Sequence, residues 1–123
     1  MQDSPKNFHK KLLGLKGEVQ ASKFLKSKGY KIIEKNYRTK FSEVDLIALY
    51  GDLLVFIEVK TRTTKQFGMP REAVGYEKRR KYVLTAEYYL QTHAEHSNKN
   101  VRFDVIDILG DEITHIEHAF FVE

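Results

Sequence analysis

No cysteine occurs among the 123 residues, which excludes a disulfide framework and any zinc site built on thiolates. Proline and glycine are scarce, at 2 and 7; with 41% hydrophobic and 31% charged residues, the composition suits a globular chain rather than a disordered or fibrous one. Long apolar runs are missing too. The longest, Leu53 to Ile57, is far too short to cross a bilayer, and the opening Met-Gln-Asp-Ser-Pro-Lys-Asn has no apolar signal-peptide core. The expectation is a cytoplasmic protein forming one domain over residues 1–123, enough to bury a single core. There is no phosphate loop of the Walker type, no Gly-x-Gly-x-x-Gly, and no setting for a Ser or Cys nucleophile. Nucleotide-driven and covalent catalysis are therefore not indicated.

What is present is charge, unevenly spread. The net +4 hides a split: residues 1–81 hold 19 Lys/Arg against 9 Asp/Glu, and residues 82–123 hold 2 against 8. A basic stretch of this kind suits a polyanionic partner, nucleic acid above all, because phosphate neutralisation releases counterions. A solvated lysine-rich surface explains the same count.

Local signals give an αβββαβ(β) order. Ser4-Pro5 can open a first helix that Gly29 ends. Tyr30 to Arg38, Glu43 to Tyr50 and Leu53 to Thr61 read as strands, the last two joined by a tight hairpin at Gly51-Asp52. Pro70 can open a second helix running to about His93, with Val83, Ala86 and Leu90 at helical spacing. Ala94 to Asn100 reads as a loop, and Val101 to Leu109 and Glu112 to Phe121 as closing strands. The fold class is α/β, a mixed sheet flanked by helices.

The hairpin strands carry charges that such strands do not need. If Tyr50 pairs with Leu53, Asp45 falls opposite Glu58 and Glu43 opposite Lys60. Period-2 alternation then puts all four on one face, continuous with Ile47, Leu49, Leu54 and Phe56. Carboxylates directly opposite each other repel, so a cation between them is expected. Mg²⁺ (or Mn²⁺) fits, since it takes one or two carboxylates plus waters and phosphate oxygens, with the Val59 carbonyl as a third protein oxygen. Lys60 could orient the attacking water, take its proton if desolvation lowers its pKa, or steady charge building on phosphorus; orientation and charge stabilisation are the preferred roles. The blander alternative is a Glu43–Lys60 ion pair beside two solvated acids. On the first helix Glu18 shares the stripe of Leu15, Ala21, Ser22 and Leu25 that should face the sheet. An acid there needs a cation or donors, unless it snorkels to solvent.

Glu18 on a helix, then Asp45, then Glu58-Val59-Lys60 on hairpin strands resembles the PD-(D/E)xK nuclease superfamily, in particular its Holliday-junction-resolvase-like branch. "GLKGEVQASKFLKSKGY", "NYR", "EVDLIA", "FIEVKTR", "FGMPREAV" and "VRFDVIDILGDEITHIEHAF" resemble the YraN-like family of uncharacterised bacterial proteins from about residue 14 onward. The resemblance implies a restriction-endonuclease-like core, a divalent ion on Asp45 and Glu58, Lys60 as the water-handling residue and Glu18 as an auxiliary acid, with Glu43 inside the motif. Ser42 stands where that family usually has Gly. The implied activity is metal-dependent endonucleolytic hydrolysis of DNA, branched or otherwise structured; a non-catalytic nucleic-acid-binding module on the same fold, or a protein-interaction domain, is the alternative.

Arg38, Lys40, Arg62 and Lys65 flank the proposed site, and Lys78 and Arg79 sit on the second helix, where all six could grip phosphates. A homodimer would match symmetric cutting of two strands. Tyr82, Tyr88 and Tyr89 read as core or core edge. The His93/His96 and His115/His118 pairs read as surface histidines.

Overall fold

The computed structural model describes residues 5–63 and 75–119. The chain forms α1 (Pro5–Ser27), β1 (Lys31–Arg38), β2 (Glu43–Tyr50), β3 (Leu53–Arg62), α2 (Tyr76–Thr92), a 3₁₀ turn (Ala94–His96), β4 (Asn100–Leu109) and β5 (Glu112–Ile116). The five strands make one sheet in the order β1-β2-β3-β4-β5, antiparallel except for the parallel pair β3–β4. That parallel pair requires a crossover, and α2 lies within it.

β3 is covered on both faces, which is why Leu54, Val55, Phe56 and Ile57 form a continuous apolar run instead of alternating with polar residues. One face packs Ile47, Leu54, Phe56, Phe103 and Val105 against Tyr82, Ala86 and Tyr89 of α2. The other packs Leu46, Ala48, Val55, Ile57, Ile106 and Ile108 against Ala21 and Leu25 of α1. Helix α1 stops where Gly29, at φ +95°, takes the left-handed conformation open to glycine, and Tyr30 N–H returns to Leu25 C=O at 3.0 Å. At Gly17 the helix rides directly on β3: a Cβ there would lie 2.1 Å from Thr61 Oγ1.

The element order and hairpin register follow the sequence expectation, with corrections. Helix α2 starts at Tyr76 after an extended Gly75, six residues beyond Pro70; Pro70 itself lies outside the described residues. The last strand ends at Ile116, since a turn with His118 at φ +50° follows. Leu15 does not face the sheet. It is exposed with Phe8, Leu12 and Val19 on the opposite side of α1, and Ala21, Ser22 and Leu25 carry the inward stripe.

Candidate functional site

The β2–β3 ladder runs from Tyr50↔Leu53 to Leu46↔Ile57 in the expected register. Beyond that point the direct pairs Asp45/Glu58 and Glu43/Lys60 are not formed. Instead Val59 N–H donates to Asp45 Oδ2 at 2.8 Å, so a side chain takes the place of a ladder carbonyl. Alternation also breaks here: Val44 and Ile47 both join the α2-side cluster, whereas Leu46 and Ala48 join the α1 side. Across from the break, between the Lys35↔Leu46 and Tyr37↔Val44 pairs, Asn36 sits at φ +53°. A strict period-2 count could not foresee this irregularity, and it overturns the placement of Asp45 and Glu43 by simple alternation from Ile47.

The break draws acids from three elements into one neighbourhood. The Asn36 amide, oriented with its NH₂ towards the acids, donates to Glu18 Oε1 at 2.7 Å and Glu43 Oε1 at 3.2 Å. Glu43 is also gripped by exposed Arg38 at 2.6 Å, its cross-strand neighbour on β1. Burial, more than any neighbour, pushes the Asp45 carboxyl up to about 6 against the help of Val59 N–H, and the charges of Glu18, Glu58 and Glu43 push the same way. Glu18 is likewise raised, first by burial and then by Glu43, with the Asn36 hydrogen bond opposing.

Glu58 is buried on the α2 face of β3. Its Oε1 receives Lys60 Nζ at 3.2 Å and also Lys78 Nζ from the first turn of α2. Its Oε2 is buried with no hydrogen-bond partner. Burial is the largest influence on the Lys60 ammonium and pulls its pKa down, but the charge and hydrogen bond of Glu58 outweigh it and leave Lys60 above the usual lysine value. With no ion bound, Lys60 is therefore held in its charged form by Glu58. Buried Tyr82, one turn after Lys78, has its hydroxyl pushed up by burial, then by the charges of Glu58 and Asp45, and by its own hydrogen bond to the Glu58 carboxylate.

Among the described residues no three His, Asp or Glu side chains converge as a complete metal cage. A hard dication that keeps most of its waters needs less, one or two carboxylates. The donor set fits such an ion: an orphaned buried carboxylate oxygen on Glu58, and an Asp45 whose carboxyl is raised first by burial and then by the charges of Glu18, Glu58 and Glu43, so that a cation would ease its ionisation. Because N–H and C=O of a strand residue point to the same side, the Val59 carbonyl follows its N–H into the gap beside Asp45.

The other expected residues are placed as follows. Lys40 is exposed, its ammonium 5.3 Å from the Phe41 ring centroid. Arg62 pairs with Asp107 on β4, with Nε to Oδ1 and Nη2 to Oδ2 both at 2.9 Å, at the β3–β4 junction. Arg79 is half-buried with its Nε unpartnered, and Lys65 lies outside the described residues. Lys78, expected to contact phosphate, reaches Glu58, a tertiary contact that its spacing in sequence does not encode. Ser42 joins a hydroxyl chain, with Thr85 Oγ1 2.7 Å from Ser42 Oγ and 2.9 Å from Thr39 Oγ1, tying the β1–β2 connection to α2. Asn36 opens the "NYR" segment of the resemblance but was given no role; its physical signal is that Asn tolerates the left-handed region.

A second buried-charge cluster lies on the α1 side of β4. Asp104 accepts two bonds from Arg102, Nε at 2.9 Å and Nη2 at 2.8 Å, one from His115 Nε2 at 2.7 Å and one from His118 N–H at 3.3 Å. Arg102 also donates to Tyr30 Oη at 2.5 Å, and Lys28 Nζ meets His115 Nδ1 at 3.1 Å. His115 is thus not a surface histidine: its side chain is 4% exposed. Burial acts to raise Asp104, but His115 and Arg102 overcome it and hold the carboxyl below its usual value.

These features define an α/β protein with a mixed five-stranded sheet and an acid–lysine cluster where its central hairpin opens. The profile of the Uncharacterised protein family UPF0102 matches residues 17–108, a span that includes every acid of that cluster, and the chain belongs to this family. It is 42% identical to a UPF0102 protein of Caldanaerobacter subterraneus subsp. tengcongensis over 94% of this chain and 99% of that one. It is 48% identical to one of Thermodesulfovibrio yellowstonii, covering 89% and 96% respectively, and 45% identical to one of Clostridioides difficile, covering 85% and 92%. No described helix is long and apolar enough to cross a membrane.

Proposed function

We propose that this protein is a Mg²⁺-dependent phosphodiesterase of the PD-(D/E)xK type with a restriction-endonuclease-like core, YraN-like in family, acting endonucleolytically on DNA of branched or otherwise structured form. The observation that carries the reading is the meeting of Asp45, Glu58 and charged Lys60 at the opened end of the hairpin, with Glu58 Oε2 buried and unpartnered. Asp45 and Glu58, with the Val59 carbonyl, would hold the ion, which supplies a Lewis acid for the phosphate and an acidified water. Lys60, kept protonated by Glu58, orients that water and offsets charge developing on phosphorus. Glu18, held through Asn36, orients water as an auxiliary acceptor. Exposed Arg38, paired with Glu43, borders the cluster, and it and exposed Lys40 offer phosphate contacts; a homodimer would present two such sites to two strands.

The test is a panel of linear, nicked, flapped and four-way DNA with Mg²⁺ or Mn²⁺. Cleavage is expected, and it should fall by at least about a hundredfold in Asp45→Ala and Lys60→Ala while DNA binding survives. DNA left intact by both metals, but bound in a salt-sensitive way, overturns the enzyme in favour of the nucleic-acid-binding module. One observation favours that second reading: Lys60 and Lys78 already neutralise Glu58 without any ion.

A further inference from the structure

Resting on the metal site just proposed, we infer that Lys78 is a placeholder cation: in the ion-free protein it occupies Glu58, and it is displaced when a divalent ion enters. A carboxylate as buried as Glu58 does not stay ionised without a counter-charge, so a protein that must survive without its ion needs a substitute. Two ammonium groups crowd onto the same oxygen, Oε1, while Oε2 has no partner; like charges so close repel, so one of the two is dispensable.

The geometry points to which one. Lys60 is fixed two residues from Glu58 on the same face of β3, where its backbone pairs with Asp107 of β4. Lys78 comes from the opening turn of α2, its side chain 40% exposed, and it reaches inward past the Tyr82 ring, its Nζ 5.8 Å from the centroid. A long aliphatic stem with its root at the solvent boundary can withdraw without opening the core. The Tyr82 face offers the ammonium only a weak hold, so Glu58 is its main anchor and an ion with twice the charge can compete for it.

Displacement makes a prediction that a purely structural role does not: removing the lysine tightens ion binding. Mn²⁺ affinity measured by calorimetry and by the loss of free-Mn²⁺ EPR signal should rise about five- to tenfold in Lys78→Met, the scale of a lost charge-assisted contact. Lys78→Arg should bind no tighter than wild type. In the wild-type protein, the Lys78 Cε NMR signal should move as Mg²⁺ is titrated, which keeps the question open to measurement even if Lys78→Met fails to fold. If wild type and Lys78→Met bind Mn²⁺ alike, or the variant binds more weakly, or the Lys78 signal stays fixed through saturation, the placeholder is overturned and the metal site stands. If neither protein binds Mn²⁺, the metal site itself falls and the placeholder with it.

Discussion

Two clusters in this molecule bury the same kinds of side chain and treat them oppositely. Around Asp104 nearly every lone pair meets a donor: a bidentate guanidinium, an imidazole and a backbone N–H converge, and the carboxyl is held below its ordinary pKa. Around Asp45 four acids gather from α1, β2 and β3, one oxygen is orphaned, and the carboxyl is pushed up to about 6. The first arrangement is matched as it stands; the second, although Lys60 and Lys78 already neutralise Glu58, keeps an open oxygen and a raised carboxyl that a further cation would satisfy. Burial of charge does not by itself distinguish scaffolding from chemistry. The balance of donors and acceptors does.

The largest effect that would sharpen this contrast is loss of the satisfied cluster. Asp104→Ala strands Arg102 and His115 and should destabilise the fold by about 3–5 kcal/mol in denaturant titration; a loss below about 1 kcal/mol would erase the distinction. Next comes the ion. Mn²⁺ at about a hundred times its Kd should add about 2.7 kcal/mol at pH 8. It should add much less at pH 5, where a protonated Asp45 must first release its proton; scanning calorimetry at the two pH values reads the difference, and equal gains would count against Asp45 as a ligand.

Smaller, and opposite in sign to the first, is Asp45→Asn without metal. The folded pKa of about 6 lies above the ordinary 3.8, so the native state holds the proton more tightly than the unfolded chain. Stability is therefore fullest below about pH 4 and falls as pH rises through 6. The amide removes that loss, so Asp45→Asn should stabilise the protein by up to about 3 kcal/mol at pH 8 and by little at pH 4. Destabilisation at pH 8 would mean that Asp45 is held as tightly as Asp104. The smallest effect belongs to Arg38→Ala: its ion pair with Glu43 is exposed, so the melting temperature should stay where it is while DNA affinity drops.

Much of this was legible in the sequence because it is local. Apolar periodicity, Gly29 and the Gly51-Asp52 turn delivered the element order and the register down to Leu46↔Ile57. The grouping of Glu18, Asp45, Glu58 and Lys60 followed from pattern and resemblance, and the structure does bring these side chains into one charge neighbourhood. What was not legible depends on departures from the period or on contacts distant in sequence. Asn36 breaks the count of alternate faces, Lys78 reaches Glu58 across 20 residues, and Arg62 finds Asp107 across 45. His115 looked like a surface residue because nothing nearby in sequence announces Asp104 beneath it.

The contact at Gly17 has a mechanical consequence. With no side chain of its own at that point, α1 is seated on the Thr61 side chain like a beam on its bearing, and the next residue, Glu18, takes its height above the sheet from the backbone. Unless Thr61 turns its hydroxyl aside, a single methyl wedged in at residue 17 would tilt the beam and lift the acid from its partners without touching any of them, so tolerance at this glycine measures how closely the helix must be levelled for the cluster to assemble.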